Sequence, residues 1–374
     1  MHERREVERS EENPPRWYWR DGETDTNNET EESSDSEDDS KLSSSGIDTG
    51  SESPSARSEV SQKPVSRFSD DFDLIEKLGE GGYGRVYKVK GKLAEVLYAV
   101  KVVEYDRYAL REVKALASFQ HPNIVRYYAA WPELSDLQAS TASPASTEST
   151  YESEDEEDQS ESSGAIMTSN KDKYLYIQME FCKGGNLKQW ICEKNEGNMQ
   201  SRDDALMIFQ QIVQGVEYIH LQGHIHRDLK PENILFGNDN KVKIGDLGLV
   251  TVISEEGSNS VKRTKQKGTP SYMSPEQQEN LRTYDEKVDI YPLGLICFEL
   301  LWEMRTGMER SRLLENLRER IFPPEFVRQY SSEHKLIKKM LSKAPDKRPA
   351  ASAIAQGLRV LMEEHDGLGD LKTV

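Results

Sequence analysis

"HIHRDLKPENILF", His224 to Phe236, sets two histidines, an arginine, an aspartate, a lysine and an asparagine between short apolar ends. Taken one at a time, an Asp or Asn in such a stretch most often caps a helix or closes a turn. Their order says more. Asp228, Lys230 and Asn233 place a proton acceptor, a cation and an amide oxygen in one loop. Downstream, "KIGDLGLV" adds Asp246-Leu247-Gly248 after a short apolar strand.

Working outward, "FDLIEKLGEGGYGRVYKVKGKLAEVLYAVKVV" begins at Phe72 and carries Gly79, Gly81 and Gly84 as G-x-G-x-x-G. In a dinucleotide-binding fold that pattern opens a helix. Here it runs into Arg85-Val86-Tyr87-Lys88-Val89, whose Val86/Lys88 and Tyr87/Val89 alternation suits a strand, so the glycines predict a flap between two strands. Lys101 then sits inside the apolar, β-branched "YAVKVV", where a charge is costly unless something uses it. "YALREVKALASF" turns to helical spacing, with Leu110, Val113, Leu116 and Ala117 expected on the buried stripe and Glu112 as a partner for Lys101. For that pair alone, a surface ion pair is an equal alternative. Together with the downstream loops, the set supplies a flap, a lysine for phosphates, a base for a hydroxyl and two oxygen ligands for magnesium, which are the parts of a phosphoryl-transfer site.

On these motifs the chain resembles the eukaryotic protein kinases from about Arg67 to His365, apart from an acidic insert. The resemblance implies an α+β, bilobal fold: a small antiparallel β-sheet lobe with one main helix, and a larger, mainly α-helical lobe. It implies ATP and Mg²⁺ as cofactors. Gly79, Gly81 and Gly84 would lay backbone N–H groups over ATP, and Lys101, held by Glu112, would bind the α- and β-phosphates. Asp228 would accept the substrate hydroxyl proton, Lys230 would steady the γ-phosphate, and Asn233 and Asp246 would bind Mg²⁺. The adenine would lie between Val86 and Ala99 above and Leu235 below, with Met179 as gatekeeper and the backbone of Glu180 and Cys182 at the hinge. Singly, Val86, Ala99 and Leu235 read as ordinary core. Three departures stand out: Leu247 where Phe is usual, Ser274-Pro275-Glu276 for the usual Ala-Pro-Glu, with Glu276 still able to pair with Arg348, and Pro292, tolerable only in the first turn of its helix. Since every phosphate, metal and base position is filled, an inactive scaffold is the weaker alternative.

"KRTKQKGTPSYMSPEQ", Lys262 to Gln277, lies between Asp246-Leu247-Gly248 and Ser274-Pro275-Glu276 and is therefore the activation segment of the resembled family. Thr264 and Thr269 are its expected phosphorylation sites, and Arg227 is the residue expected to pair with a phosphate there. "IQMEFCKGGNLKQWI", "GVEYIH" and "LREVKAL" make the chain similar to the kinases of translation initiation factor 2 alpha, most of all to the double-stranded-RNA-activated branch; "VRYYAAW" is more like the amino-acid-starvation branch. That family implies initiation factor 2 alpha as substrate and slowed protein synthesis under stress or viral infection, after dimerisation and autophosphorylation. Thr306 and Glu309 fall where the family docks the factor, the plainer reading being a helix cap and a dipole contact. Arg67, Asp71 and Tyr127 fall where it forms a homodimer through the small lobe, the plainer reading of the first two being a local i,i+4 pair. A kinase for another protein remains the alternative.

Composition bounds the rest. The chain has 374 residues, 35% hydrophobic and 31% charged, with a net charge of −18. Asp21 to Val60 holds 13 acidic and 2 basic residues, and Glu133 to Gly164 holds 10 acidic and none basic. These two tracts exceed the whole net charge, and both are too polar to offset the entropy of ordering. The expected organisation is an acidic disordered segment over 1–66 and a kinase domain over 67–366, followed by a tail over 367–374. Within the domain the small lobe is placed at about 67–181, with the insert at about 132–170, and the large lobe at about 182–366. The first 66 residues are too short and too acidic for paired RNA-binding modules, so no nucleic-acid partner is expected of this chain. "RWYWR", Arg16 to Arg20, reads as a chance cluster. "LGLICFELLW", Leu293 to Trp302, is too short for a membrane span and fits a buried core helix. Three cysteines without metal spacing, and no apolar leader, fit a cytoplasmic protein with reduced thiols.

Overall fold

The computed structural model of the protein describes residues 66–81, 84–134, 173–196, 201–239, 241–248, 251–252, 270–279 and 285–369. The first acidic tract, nearly all of the second, "RWYWR", Thr264 and Thr269 lie outside these residues.

The small lobe is a five-stranded sheet in the order β1-β2-β3-β5-β4, antiparallel throughout. Its strands are β1 (Phe72–Gly81), β2 (Gly84–Gly91), β3 (Leu97–Glu104), β4 (Tyr127–Glu133) and β5 (Tyr174–Glu180). The alternation expected of β2 holds, since Tyr87 and Val89 are buried while Val86 and Lys88 face the other side. Tyr87 and Val89 join Val100, Val102, Phe68, Phe72, Trp131 and Tyr176 in one core. In it Trp131 stacks on both Phe72 and Tyr176, at 5.9 and 5.7 Å between ring centroids, a geometry that adds to simple area burial.

The short helix α1 (Arg67–Asp71) closes this core with Phe68. The end of β4 holds it: Glu133 accepts from Ser66 Oγ at 2.7 Å, from the Phe68 N–H at 2.8 Å and from Trp131 Nε1 at 2.7 Å. Pro132 and Glu133 therefore belong to the folded lobe, and the insert boundary expected at about 132 moves past them.

On the opposite face runs α2 (Arg107–Ser118). Its buried positions are Ala109, Glu112, Ala115 and Leu116, while Leu110 and Ala117 point outward. The stripe is thus turned from the one expected, because Glu112 must face inward to meet Lys101.

In the large lobe α4 (Arg202–Leu221) packs against α6 (Lys287–Leu301) and α10 (Ala351–Gly369). A capping box between Ser201 and Asp204 starts α4. Nearly every residue of α6 is buried, as expected of the Leu293 to Trp302 stretch; a helix apolar all round belongs in a core. Pro292 lies in its second turn, deeper than expected, so the Val288 carbonyl lacks its helical donor. The last helix α10 continues past position 366 to Gly369.

Two small ribbons flank the central loop: β6 (His224–Ile225) pairs with β9 (Thr251–Val252), and β7 (Ile234–Phe236) with β8 (Val242–Ile244). The remaining helices are α3 (Leu187–Asn195), α5 (Pro275–Gln278), α7 (Gly307–Arg318), α8 (Pro324–Gln329) and α9 (Ser331–Met340). Among the described residues no helix is long and apolar enough to cross a membrane. The three cysteines are unpaired.

Candidate active site

Two side-chain clusters face each other where the small lobe meets the central loop. In the first, Lys101 Nζ on β3 lies 2.7 Å from Glu112 Oε1 on α2 and 3.0 Å from Asp246 Oδ1, with Lys101 and Glu112 only 4% and 5% exposed. Burial disfavours the Lys101 ammonium, but the two carboxylates outweigh it and hold its pKa above the ordinary lysine value. Asp246 is also desolvated, yet Lys101, His226 and Lys230 hold its carboxyl below the usual range. Glu112 shifts upward, chiefly through burial, with the Asp246 charge adding to it. The partners' opposite directions follow from one ammonium serving two acids, and Asp246 has Lys230 as a further cation.

The second cluster lies in the loop from β6 to β7. Lys230 Nζ donates to Asp228 Oδ2 at 2.8 Å, and Asn233 Nδ2 donates to the Asp228 carbonyl at 2.9 Å and to Oδ2 at 3.2 Å. With its nitrogen so used, Asn233 has its amide oxygen left for a cation. That oxygen and the Asp246 carboxylate make a hard donor set, which suits a divalent ion that keeps waters and phosphate oxygens as its other ligands. The space beside Gly248 agrees, because a Cβ there would lie 3.3 Å from Glu112 Oε2 and 3.4 Å from both Asp246 Oδ1 and Lys101 Nζ.

The backbone beneath is strained. Arg227 and Asp246, neither a glycine, have φ of +74° and +52°. Asp289 of α6, fully buried, offsets part of that cost: its carboxylate accepts the N–H groups of His226 and Arg227, both at 2.8 Å, and bonds to His220 Nε2 at 2.9 Å. His226 takes its Nε2–H tautomer, donating to the Gly245 carbonyl at 3.1 Å and accepting the Asp228 N–H at Nδ1. The Asp228 and Asp246 loops are thus joined through one imidazole.

A model of the protein kinase domain matches residues 72–358. The chain belongs to the protein kinase family. Among its relatives, the interferon-induced, double-stranded RNA-activated protein kinase of Rattus norvegicus is 40% identical over 293 residues, covering 78% of this chain and 52% of that protein. Eukaryotic translation initiation factor 2-alpha kinase 3 of Bos taurus is 42% identical over 204 residues, 52% of this chain and 18% of that protein. The eIF-2-alpha kinase GCN2 of Arabidopsis thaliana is 33% identical over 318 residues, 78% of this chain and 25% of that protein. The chain spans about half the length of the first of these relatives.

In this kinase the residues expected to wall a nucleotide slot lie on paired strands of the small lobe and on β7. Ala99 pairs with Met179 across β3 and β5, and Val86 with Lys101 across β2 and β3. Val86, Met179 and Leu235 are each half-buried and leave apolar surface that a flat ring could cover. The Glu180 N–H is spent on the Arg126 carbonyl at 2.8 Å, which takes that donor out of the expected hinge. Burial pushes the Cys182 thiol up to about 12, which makes it a poor nucleophile.

The glycines divide. Gly84 has φ of +102°, and a Cβ on it would fall 2.4 Å from the Val102 carbonyl oxygen, so the strand pairing itself demands glycine. A Cβ on Gly79 or Gly81 would meet open space, although both lie in the ladder between β1 and β2. Leu247 is fully buried and fills the usual aromatic place. Glu276 and Arg348 form the expected pair through two bonds of 2.5 and 2.7 Å.

Sequence reasoning missed Asp289, Gly245 and His226 as supports. An acid set among the apolar residues of α6 was the available signal for the first.

Thr306 caps α7, its Oγ1 accepting the Glu309 N–H at 3.1 Å, while Glu309 Oε2 accepts the Arg305 N–H at 2.9 Å. Both residues are nevertheless exposed. Arg67 and Asp71 form the local pair, Nε to Oδ2 at 3.1 Å, and Tyr127 opens the edge strand β4.

Proposed function

We propose that this chain is the catalytic part of a cytoplasmic serine/threonine kinase that transfers the γ-phosphate of ATP, with Mg²⁺, to a serine of translation initiation factor 2 alpha. The observation that carries the catalytic half is the pair of facing clusters, Lys101–Glu112–Asp246 and Asp228–Lys230–Asn233, with every charge already oriented. The substrate is supported by the relatives named for that factor and by the exposed first turn of α7. When bound, ATP supplies the phosphoryl group and Mg²⁺ neutralises its oxygens, held by Asn233 and Asp246. Lys101 fixes the α- and β-phosphates. Asp228 takes the hydroxyl proton, and Lys230, already on its carboxylate, meets the charge on the γ-phosphate. Chemistry of this kind is positioning and electrostatics, so no strong nucleophile is required of the protein.

Activation would follow pairing of two copies through Arg67, Asp71 and Tyr127, autophosphorylation at Thr264 and Thr269, and capture of the Thr264 phosphate by Arg227. Slowed protein synthesis under stress or infection is the consequence. The test is to incubate the purified chain with Mg-ATP and intact initiation factor 2 alpha and to map phosphate on both. A single modified serine on the factor, lost in Thr306→Ala/Glu309→Arg, is the expected result. Turnover on a generic peptide with none on the factor would leave a kinase with a different substrate, and no turnover on either would leave a scaffold.

A further inference from the structure

Residues 271–273, which lead into Ser274 and α5, are held by α7 together with Glu299 of α6. Arg318, its last residue, donates from Nη1 to the Ser271 carbonyl at 3.1 Å and from Nη2 to the Met273 carbonyl at 2.8 Å. Between those carbonyls Tyr272 is buried, and its hydroxyl donates to Glu299 Oε2 of α6 while accepting from Arg310 Nη2 of α7. Arg310 Nε closes the triangle on Glu299 Oε1 at 2.6 Å.

The bonds continue toward the catalytic loop. The Ser274 N–H donates to Gln277 Oε1 at 3.1 Å, and Gln277 Nε2 donates to the Arg227 carbonyl at 2.9 Å, next to Asp228. An unbroken path of hydrogen bonds and main chain therefore joins α7 to the base. At the other end of α7 the first turn is open, with Met308 85% exposed beside Thr306 and Glu309.

We propose that Arg310 and Arg318 are positioning residues: they fix the distance between a protein substrate docked on the first turn of α7 and the acceptor site beside Asp228. The proposal rests on the docking reading given above. The residue type fits the task, because a guanidinium fork can span two acceptors at once where an ammonium acts as a point charge. Arg318 spans two carbonyls, and Arg310 spans a carboxylate and a phenol. A folded substrate held at α7 brings its serine to the base only if helix and loop move as one body, and a misplacement of about 1 Å can cost on the order of 10²-fold in rate.

A contact that only stabilised the lobe would reduce turnover on every substrate alike. Positioning makes a different expectation for Arg318→Met and Arg310→Gln. On the intact factor, kcat falls by about tenfold or more with KM changed by less than about twofold, since Thr306, Met308 and Glu309 are untouched. A short peptide bearing the same serine, too small to reach α7, loses less than about threefold. Arg318→Lys, which keeps the charge but cannot hold both carbonyls, falls between the wild type and Arg318→Met. Amide hydrogen exchange across residues 271–279 quickens in both variants while that of residues 228–236 holds. Equal kcat losses on factor and peptide, a change confined to KM, or unchanged exchange at 271–279 would each overturn the proposal. If the wild-type chain modifies the peptide and leaves the factor alone, the substrate reading fails by itself. The exchange measurement then decides the clamp, with faster exchange sustaining it and unchanged exchange overturning it.

Discussion

Lys101 is where one side chain has the most to hold. Its ammonium faces Glu112 and Asp246 at 2.7 and 3.0 Å in a nearly dry setting. Lys101→Met therefore leaves two acids close together without the cation between them, and breaking a buried pair in this way costs about 3 to 5 kcal/mol. The expected result is a lower urea midpoint with no activity, and Glu112→Leu added to it should recover part of the midpoint and none of the activity. Asp228→Asn should behave differently. It keeps the shape of the loop and removes the proton acceptor, so turnover falls by roughly 10² to 10⁴ while the midpoint stays near that of the wild type; turnover close to wild type would sink the assigned role. Lys101 was legible in the sequence because a charge in an apolar strand calls for a partner. Asp289 and Glu299 carry the same signal in α6. Their partners were illegible, since Asp289 is met by the main-chain N–H groups of His226 and Arg227, and a backbone amide leaves no mark on a sequence.

Elements show the same division. Strand β2 was legible through its period of two, and β3 and α6 through their apolar runs, whereas the rotation of α2 about its axis was not, because the buried stripe includes the charged Glu112. Pro292 gave a misleading start for α6 for a related reason: surrounding burial lets the helix keep a proline in its second turn. The joint between α6 and the catalytic loop is the one most open to test. Burial would raise the Asp289 carboxyl, but the hydrogen bond and charge of His220, with His226 and the Arg227 N–H, hold it below the usual carboxylate range. A carboxylate depressed in the folded state adds stability above its unfolded value of about 3.9, and that stability is lost as pH falls through the lower folded value. Asp289→Asn should thus lower stability at pH 7 by about 2 to 3 kcal/mol, the worth of hydrogen bonds to a charged group, and flatten the acid limb of the stability profile. Urea midpoints measured from pH 7 down to about 3 check both parts. An acid limb as steep as that of the wild type would assign the acid sensitivity to other carboxylates.

At the scale of the whole molecule the proposed dimer turns on α1, which the lobe presents at its edge. Arg67 and Asp71 are 51% and 48% exposed and bond to each other at 3.1 Å. As an exposed i,i+4 pair they are worth only about 0.3 to 0.5 kcal/mol, so exchanging the local partner for that of a second copy costs little. In the proposed dimer two-fold symmetry would double the exchange, with Arg67 of each copy meeting Asp71 of the other. The base beneath is firm, with α1 fixed by Glu133 through Ser66 and Phe68. Arg67→Asp brings like charges together twice across the axis and should raise the dimer dissociation constant about tenfold or more, a change of about 1.4 kcal/mol or above. Autophosphorylation at Thr264, followed at fixed protein concentration, should fall with it. Arg67→Asp/Asp71→Arg restores the opposite charges and should recover both properties, though short of the wild type. The shortfall has a visible cause, because the Arg67 guanidinium also lies over the Trp131 ring at 4.5 Å and a cation moved to position 71 leaves that ring uncovered. Sedimentation equilibrium separates association from this local loss, and urea midpoints of the dilute monomers measure the loss itself. A double variant that dimerises no better than Arg67→Asp would return Arg67 and Asp71 to the role of a local pair on a short helix.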